Sequence, residues 1–439
     1  MNTTVSEVLH FVEENDVKFA RLVFCDIFGK PKNISILAEE LPRAFESGIS
    51  FDASAVKGFM NVEESDLFLY PDPGTLAVLP WRPQQGRVVR FFCDIKRPDG
   101  TPFEGDGRSI LKNAVQRAAA LHYVCRIGAE CEFYLFEADE KGRPTRTPHD
   151  TAGYFDMAPD DRGENIRREI CLTLEQMGIR PESSHHEQGP GQNEIDFKYS
   201  DALSAADSLS TFKNVVKTVA ARSGLYASFM PKPVRTASGS GLHVNMSLSK
   251  NGLNIFKSGG NEHSQAAESF IAGVLAHVGN MTAFLNPITN SYERLGRYEA
   301  PRYVTWSHQN RSQLVRIPAA RGEYARMELR SPDPACNPYL AFALLLHAGL
   351  DGIERGLPLC GATNRNLYLV EKEEAEALEA LPGSLAEAVE RAERSEFVRS
   401  ILPQKTLETF LDAKRRECAA YAEAPDKHRF EEAFYFPHL

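Results

Sequence analysis

Four stretches of the chain put acids, a histidine and arginines at spacings that could do chemistry. In the run IGAECEFYLF, residues 127–136, strand periodicity places Glu130 and Glu132 on one face and Cys131, Phe133 and Leu135 on the other. Two carboxylates about 7 Å apart, at a rise of about 3.3 Å per residue, repel unless water or a cation lies between them. In HHEQGPGQNEIDF, residues 185–197, Glu187 and Glu194 flank Gly189-Pro190-Gly191, a turn sequence that predicts a reversal bringing the two glutamates together. His185 and His186 are adjacent, so on a strand at most one of them reaches the same place. In SGSGLHVNMSL, residues 238–248, alternation gathers His243, Asn245 and Ser247, and Gly239 and Gly241 are expected to let the backbone approach a ligand closely. No GKS or GKT follows these glycines, so the segment is neither a P-loop nor a dinucleotide fingerprint. In residues 326–330, Arg326, Glu328 and Arg330 share a face. Charges spent on an apolar-flanked strand must be paired or bound. Carboxylates with one imidazole and no thiolate predict Mg²⁺ or Mn²⁺ rather than Zn²⁺.

Between positions 294 and 330 there are eight arginines (294, 297, 302, 311, 316, 321, 326 and 330), no lysine and, with Glu293 just before them, only four acids. Arginine alone points to bidentate recognition of carboxylate or phosphate. Divalent ions with unpaired arginines are the parts for phosphoryl transfer, where catalysis is mostly positioning and charge neutralisation. Hydrolysis at a two-metal site uses similar parts, and the residues by themselves leave both open.

These groups need a frame. With 439 residues, 42% hydrophobic, 25% charged and 10% aromatic, the composition is that of a globular chain of two or three domains; it excludes a disordered, collagenous or coiled-coil one. Fifty Lys+Arg against sixty Asp+Glu gives a net charge of −10, a poor start for a general nucleic-acid grip. The longest apolar run, Tyr339 to Leu350, has 12 residues and carries His347, short of a membrane span. Glu7, Glu13 and Glu14 near the start, with no basic segment leading into an apolar run, give no sign of a signal peptide. The eight cysteines lack any CxxC pair and read as reduced thiols of a cytoplasmic protein. Strands are expected at 19–25, 33–37 and 87–95, and the Pro/Gly/Asp-rich segment 96–107 reads as a boundary. Beyond it, helices are expected at 164–177 and 205–223, a buried one at 337–355, and charged amphipathic ones from 384 onward. The expectation is an α+β protein: a small β-rich domain, 1–100, and a larger domain, 101–439.

In this order the segments resemble the glutamine synthetase family, bacterial class I type. The motifs are AECEFYLF, SHHEQGPGQNEIDF, FMPKP, SGSGLHVNMSL, NSYERL, YEAP, NRSQLVRIP and MELRSPDPACNPYLAFALLLHAGLDGI. The resemblance implies an N-terminal β-grasp domain and a C-terminal catalytic domain whose curved antiparallel sheet is flanked by helices. It implies active sites between subunits of a homo-oligomer, a dodecamer of two hexameric rings. It also implies a reaction in which ATP, as co-substrate, phosphorylates glutamate to γ-glutamyl phosphate and ammonia displaces the phosphate. Carried over, Glu132, Glu187 and Glu194 would hold one Mg²⁺ or Mn²⁺, and Glu130, His243 and Glu328 another. Arg311 and Arg316 would sit on ATP phosphates, with Ser247 near the nucleotide. Arg294, Arg330 and Gly239 would bind glutamate. Tyr154 and Asp52 of the adjacent subunit would help form the ammonium pocket, Glu187 would also bind substrate, and Glu299 would be the flap carboxylate.

Three positions depart from the family pattern. The usual Asp-Gly-Ser-Ser reads Asp52-Ala53-Ser54-Ala55, the asparagine before the glycine loop is Ser238, and the flap 294–299 is one residue shorter, with Arg297 added. All three touch substrate selection and none is a metal ligand. They motivate an alternative, a γ-glutamyl ligase of the same fold taking a larger amine. A non-catalytic structural or regulatory ring is the other alternative, disfavoured because every metal and arginine position is filled.

Overall fold

A computed structural model of the chain describes residues 3–82, 84–257, 264–320 and 322–439. Six strands open it: β1 (Val17–Cys25), β2 (Pro31–Leu37), β3 (Ile49–Asp52), β4 (Asp66–Pro71), β5 (Ala77–Val78) and β6 (Arg87–Lys96). They form one sheet in the order β2-β1-β6-β4-β3, with β5 on β6. β1 and β6 run parallel at its centre, and β1–β2 and β4–β6 are antiparallel. Alternation decides the faces: Ala20, Leu22, Val89 and Phe91 are fully buried on one side. Strand β2 starts two residues earlier than its periodicity predicts, because Pro31, which suits a strand's first position, still pairs with Cys25.

The second sheet comprises β7 (Tyr123–Ala138), β8 (Pro144–Pro148), β9 (Pro181–His186), β10 (Gln192–Phe197), β11 (Ser200–Asp201), β12 (Leu225–Ser228), β13 (Leu242–Lys250), β14 (Leu253–Asn254), β15 (Trp306–His308), β16 (Val315–Ile317) and β17 (Met327–Leu329). Its main path is β15-β16-β17-β13-β7-β10-β9, antiparallel except where β15 runs parallel to β16. Helices Gly107–Ala120, Ala202–Arg222, Gln265–Leu285 and Pro338–Arg355 pack around it. The last is buried nearly all round, as its unbroken apolar run predicts. Ala202–Arg222 starts three residues earlier than its apolar pattern, because Asp201 caps it by accepting from the Ser204 N–H. The charged C-terminal helices lie at Leu385–Arg394, Glu396–Ile401, Gln404–Glu423 and Lys427–Tyr435.

The two sheets share one hydrophobic core. At their junction Arg108, 3% exposed, is bound by Asp72, Asp94 and Asp207, carboxylates from both parts of the chain. Tyr339 donates its hydroxyl to the same Asp207 at 2.7 Å. A buried guanidinium so fully satisfied locks the parts in register. All eight cysteines are free thiols. Among the described residues no helix is long and apolar enough to cross a membrane.

Candidate active site

Four adjacent strands carry the chemistry. β7 and β13 pair with Glu130 opposite His243, β13 and β17 pair with Asn245 opposite Glu328, and β7 and β10 pair with Glu132 opposite Glu194. The reversal at Gly189-Pro190-Gly191 joins β9 to β10, as the turn residues require, and brings Glu187 beside Glu194. The polar side chains of these strands face one cavity of about 680 Å³. Their alternate neighbours Cys131, Phe133, Leu135, Val244 and Met246 are buried in the core behind it.

Nearly every residue singled out from the sequence meets here. Glu130, Glu132, Glu187, Glu194, His243, Tyr154, Gly239, Arg294, Glu299, Arg311, Arg316 and Arg330 line the cavity, with Glu328 fully buried in its wall. Ser247 lines a neighbouring cavity of about 700 Å³ instead, together with Arg126 and Tyr199; the two cavities share Glu130 and Arg326. Asp52 lines neither: it stands exposed at the end of β3, accepting from the Ser54 hydroxyl at 2.6 Å and the Ser54 N–H at 2.9 Å. Of the other arginines, Arg297 and Arg326 reach the main cavity, Arg302 does not, and Arg321 lies outside the described residues.

The carboxylates group as a cation site would require. Ligand atoms of Glu130, His243 and Glu328 lie within 4.8 Å of one another, as do those of His185, Glu187 and Glu194, and those of Glu130, Glu194 and Asp196. Oxygen donors with at most one imidazole per set and no thiolate suit Mg²⁺ or Mn²⁺. Burial, reinforced by the Glu187 charge, pushes the Glu132 carboxyl up to about 8. Burial, with Asp196 and Glu132 nearby, pushes Glu194 well up as well. Such crowding of desolvated acids is relieved by a divalent ion and by little else. Burial and the Arg330 charge lower the His243 pKa and favour its neutral form, the form that ligates a metal. Burial opposes ionisation of Glu130 too, but hydrogen bonds from His243 at 3.3 Å and the Asn245 amide at 2.8 Å outweigh it and hold the carboxyl at about 2.

Glu132 is placed a little differently from the set the resemblance implies. One of its oxygens accepts from the Gly241 N–H at 2.8 Å and the Gln192 amide at 3.0 Å, and its place beside Glu187 and Glu194 is shared by His185. Against the glycines lie Arg294 and, at Gly239, the Pro231 carbonyl. A Cβ on Gly239 would sit 2.6 Å from the Pro231 carbonyl oxygen and 2.8 Å from Arg294 Cγ, and one on Gly241 2.5 Å from Arg294 Nη2. The two glycines leave room for the Arg294 side chain to pass beneath the loop. There Arg294 donates to the carbonyls of Arg330, Ser331 and Pro332, leaving about two of its five N–H groups for a ligand. Glu328 is held between two guanidiniums, accepting from Arg316 Nε and, at 2.6 Å, from Arg330 Nη1.

Sequence reasoning passed over two residues of the site, Asp196 and Gln192, and left open which of His185 and His186 would reach it. Asp196 follows Glu194 by two, so strand period alone signals it. His185 is the histidine that reaches the cavity, with Nε2 3.2 Å from Glu187, and Tyr154 and Phe155 pack edge-on against its ring. Gln192 had no signal. His186 points the other way, buried, with Nε2 2.9 Å from Asp150, which also accepts from the N–H groups of Gly191 and Arg162. This pins the loop bearing Tyr154 to the β9–β10 hairpin. Across the mouth of the cavity runs the flap. Tyr298 donates its hydroxyl to the Thr236 carbonyl at 2.7 Å and takes the Lys232 ammonium over its ring at 4.2 Å. Next to it, Glu299 accepts from the Gln188 amide at 3.1 Å and lies 3.7 Å from Arg330.

Residues 104–433 match the family described as glutamine synthetase, catalytic domain, and residues 16–98 match the glutamine synthetase beta-Grasp domain. Among curated proteins, the chain is 48% identical over 423 residues to the glutamine synthetase of Clostridium saccharobutylicum, covering 95% of this chain and 96% of that protein. It is also 48% identical over 424 residues to the glutamine synthetase of Methanosarcina mazei, covering 95% of each. Among solved structures it superposes on the ADP complex of GmaS with a TM-score of 0.87 at 32% identity, covering 98% of this chain and 99% of that one. With the cryo-EM structure of Plasmodium falciparum glutamine synthetase the TM-score is 0.86 at 26% identity, covering 98% of both.

Proposed function

The chain belongs to the glutamine synthetase family, and from that premise we infer that it is a glutamate–ammonia ligase, forming L-glutamine from L-glutamate, ammonia and ATP. The observation that carries this reading is the convergence of carboxylates, His243 and buried arginines from neighbouring strands on one cavity. A carboxylate acylates poorly because its leaving group would be oxide. In the first step a γ-carboxylate oxygen of glutamate attacks the terminal phosphorus of ATP and ADP departs. In the second, the ammonia nitrogen attacks the acyl carbon and the C–O bond to phosphate breaks, releasing phosphate with its electron pair.

The roles below are our assignment. Arg311 and Arg316 neutralise phosphate oxygens, and Arg330 with the two free donors of Arg294 holds glutamate against Gly239. Glu132, Glu187 and Glu194 would hold one Mg²⁺ or Mn²⁺, and Glu130, His243 and Glu328 a second; when bound, the ions neutralise the nucleotide's phosphates. Ser247 in the adjoining cavity supports placing the nucleoside there. Ammonium must lose a proton before it attacks; Asp52 of a neighbouring copy, with Tyr154 and Glu187, holds the cation and favours that loss. Glu299 accepts a proton and, with the flap, keeps water from the acyl phosphate. Asp52's exposure outside both cavities supports sharing of sites between subunits. The assembly we assign is a dodecamer of two hexameric rings, with domains divided near residue 100. The eight free thiols support a cytoplasmic setting.

The test is mass spectrometry of the products formed from ATP, glutamate, ammonium and Mg²⁺ or Mn²⁺. ADP, phosphate and glutamine in equal amounts are expected; no phosphate release with ammonium overturns the reading. A larger amine as acceptor is the second reading, favoured by Ala55, Ser238 and the shortened flap. Turnover with alkylamines or polyamines but none with ammonium would establish it.

A further inference from the structure

Arg21 of β1 and Arg90 of β6 are register partners on neighbouring parallel strands. Their backbones therefore run about 4.8 Å apart, and both side chains leave the sheet on the face turned away from Leu22 and Phe91. Like charges side by side on adjacent strands repel. Among the described residues neither guanidinium makes an ion pair or a hydrogen bond: Arg90, only 8% exposed, lies 4.2 Å over the Phe92 ring, and Arg21 Nε is buried without a partner. Asp207, whose charge is felt at Arg90, is already taken, accepting two hydrogen bonds from Arg108 and one from Tyr339. Burial pulls the Arg90 pKa down to about 10, so its charge stands there at a cost. The contrast with Arg108, which meets three carboxylates nearby, shows what a purely structural buried arginine looks like in this fold.

Both arginines open into a cavity of about 100 Å³ between the sheet and the helix Ala202–Arg222. Lys32 adds a third cation, Ser210 and Asn214 offer neutral polar groups, and Trp81 supplies an apolar wall. We propose that this cavity binds a small oxyanion with two acidic oxygens, phosphate or a short dicarboxylate, clamped between Arg21 and Arg90. Paired guanidinium forks match such oxygens bidentately. The volume holds several waters, hence an anion of that size but not a nucleotide. The bound anion links the N-terminal strands to a catalytic-domain helix. The site shares no lining residue with the catalytic cavity and does not depend on the function assigned above.

Calorimetric titration of the full chain tests this, with ADP, Mg²⁺ and glutamate present to occupy the catalytic arginines. Phosphate and succinate form separate arms, with chloride at equal ionic strength as control. One saturable site per chain is expected for at least one anion, and the arm that saturates tells phosphate from dicarboxylate chemistry. Arg90→Met should weaken it about tenfold or more while glutamine formation stays at the wild-type rate. Arg21→Gln, at a half-buried position less able to disturb folding, should weaken it too and decides the matter if Arg90→Met does not fold. The proposal is overturned if neither anion saturates, or if the folded variants bind as the wild type does.

Discussion

The two ends of the catalytic cavity are built on different principles. In the assignment proposed above, the ligands Glu130, Glu132, Glu194, His243 and Glu328 at the phosphoryl end project from β7, β10, β13 and β17, are fixed by strand register, and are largely buried; Glu328 and the adjoining Arg330 are at most 1% exposed. At the amine end the same assignment uses groups outside that strand ladder: Tyr154 on a strap pinned by Asp150, Glu299 beside Tyr298, and Asp52 of a neighbouring copy, at the end of β3 in the other sheet. The difference follows from what each end must do. Neutralising a phosphate needs charges that do not move, since reorganisation at the moment of transfer is what preorganised sites avoid. Admitting an amine and then excluding water needs parts that open and close.

The strongest way to break this contrast is to attack the rigid end. Glu328→Ala leaves Arg316 and Arg330 facing one another without their carboxylate. Turnover should fall about a thousandfold or more. Stability in denaturant should fall by about 3–5 kcal/mol, the cost of breaking a buried pair. A variant as stable and active as wild type would show that this end is not a preorganised charge cage.

Asp52→Ala is next and should separate the ends. Glutamine formation should drop about a hundredfold while ADP binding, measured by calorimetry, stays unchanged. Unfolding and reassembling this variant together with Glu328→Ala should restore part of the activity, because some shared sites then have both residues intact. No recovery in mixed assemblies would place Asp52 outside the neighbouring site.

The pinned strap gives a smaller, pH-dependent effect. Burial works against the charge on Asp150, but the His186 hydrogen bond and the Gly191 and Arg162 N–H groups prevail and hold it at about 2. A carboxyl lower in the folded than in the unfolded chain stabilises above the unfolded value near 4, and loses that contribution as pH falls toward 2. Asp150→Asn should therefore cost about 2 kcal/mol at pH 5, with the gap to wild type narrowing by pH 3 in urea titrations. A gap that does not change with pH would remove the ionised pair as the pin.

Tyr298→Phe should do least. It deletes one hydrogen bond to the Thr236 carbonyl, worth about 1 kcal/mol, and should raise acceptor-free ATP hydrolysis up to about fivefold. Hydrolysis at the wild-type rate would show that this contact does not hold the flap.

The same contrast governs what could be read from the sequence. Period-two alternation exposed Glu130 with Glu132, and His243 with Asn245, because a strand that faces a cavity must spend every second residue on it. Resemblance then ordered them into ligand sets. The sequence did not reveal that Gly239 and Gly241 make room for Arg294, nor that Gln192 reaches Glu132, since both contacts join segments far apart in the chain. The Asp150–His186 pin was hidden for the same reason: only one of its partners lies in a recognisable motif. The loop end stayed least legible, because turn residues report where a chain bends and not what the bend touches.

Because Glu130, His243 and Glu328 stand on contiguous strands, a single inserted or deleted residue in β7, β13 or β17 would turn a whole row of ligands into the hydrophobic interior. Natural variation is thereby funnelled into the connecting segments, where the three departures at Ala55, Ser238 and the flap are found. A lineage can explore new amines through such changes without having to reinvent the activation of an acid by ATP.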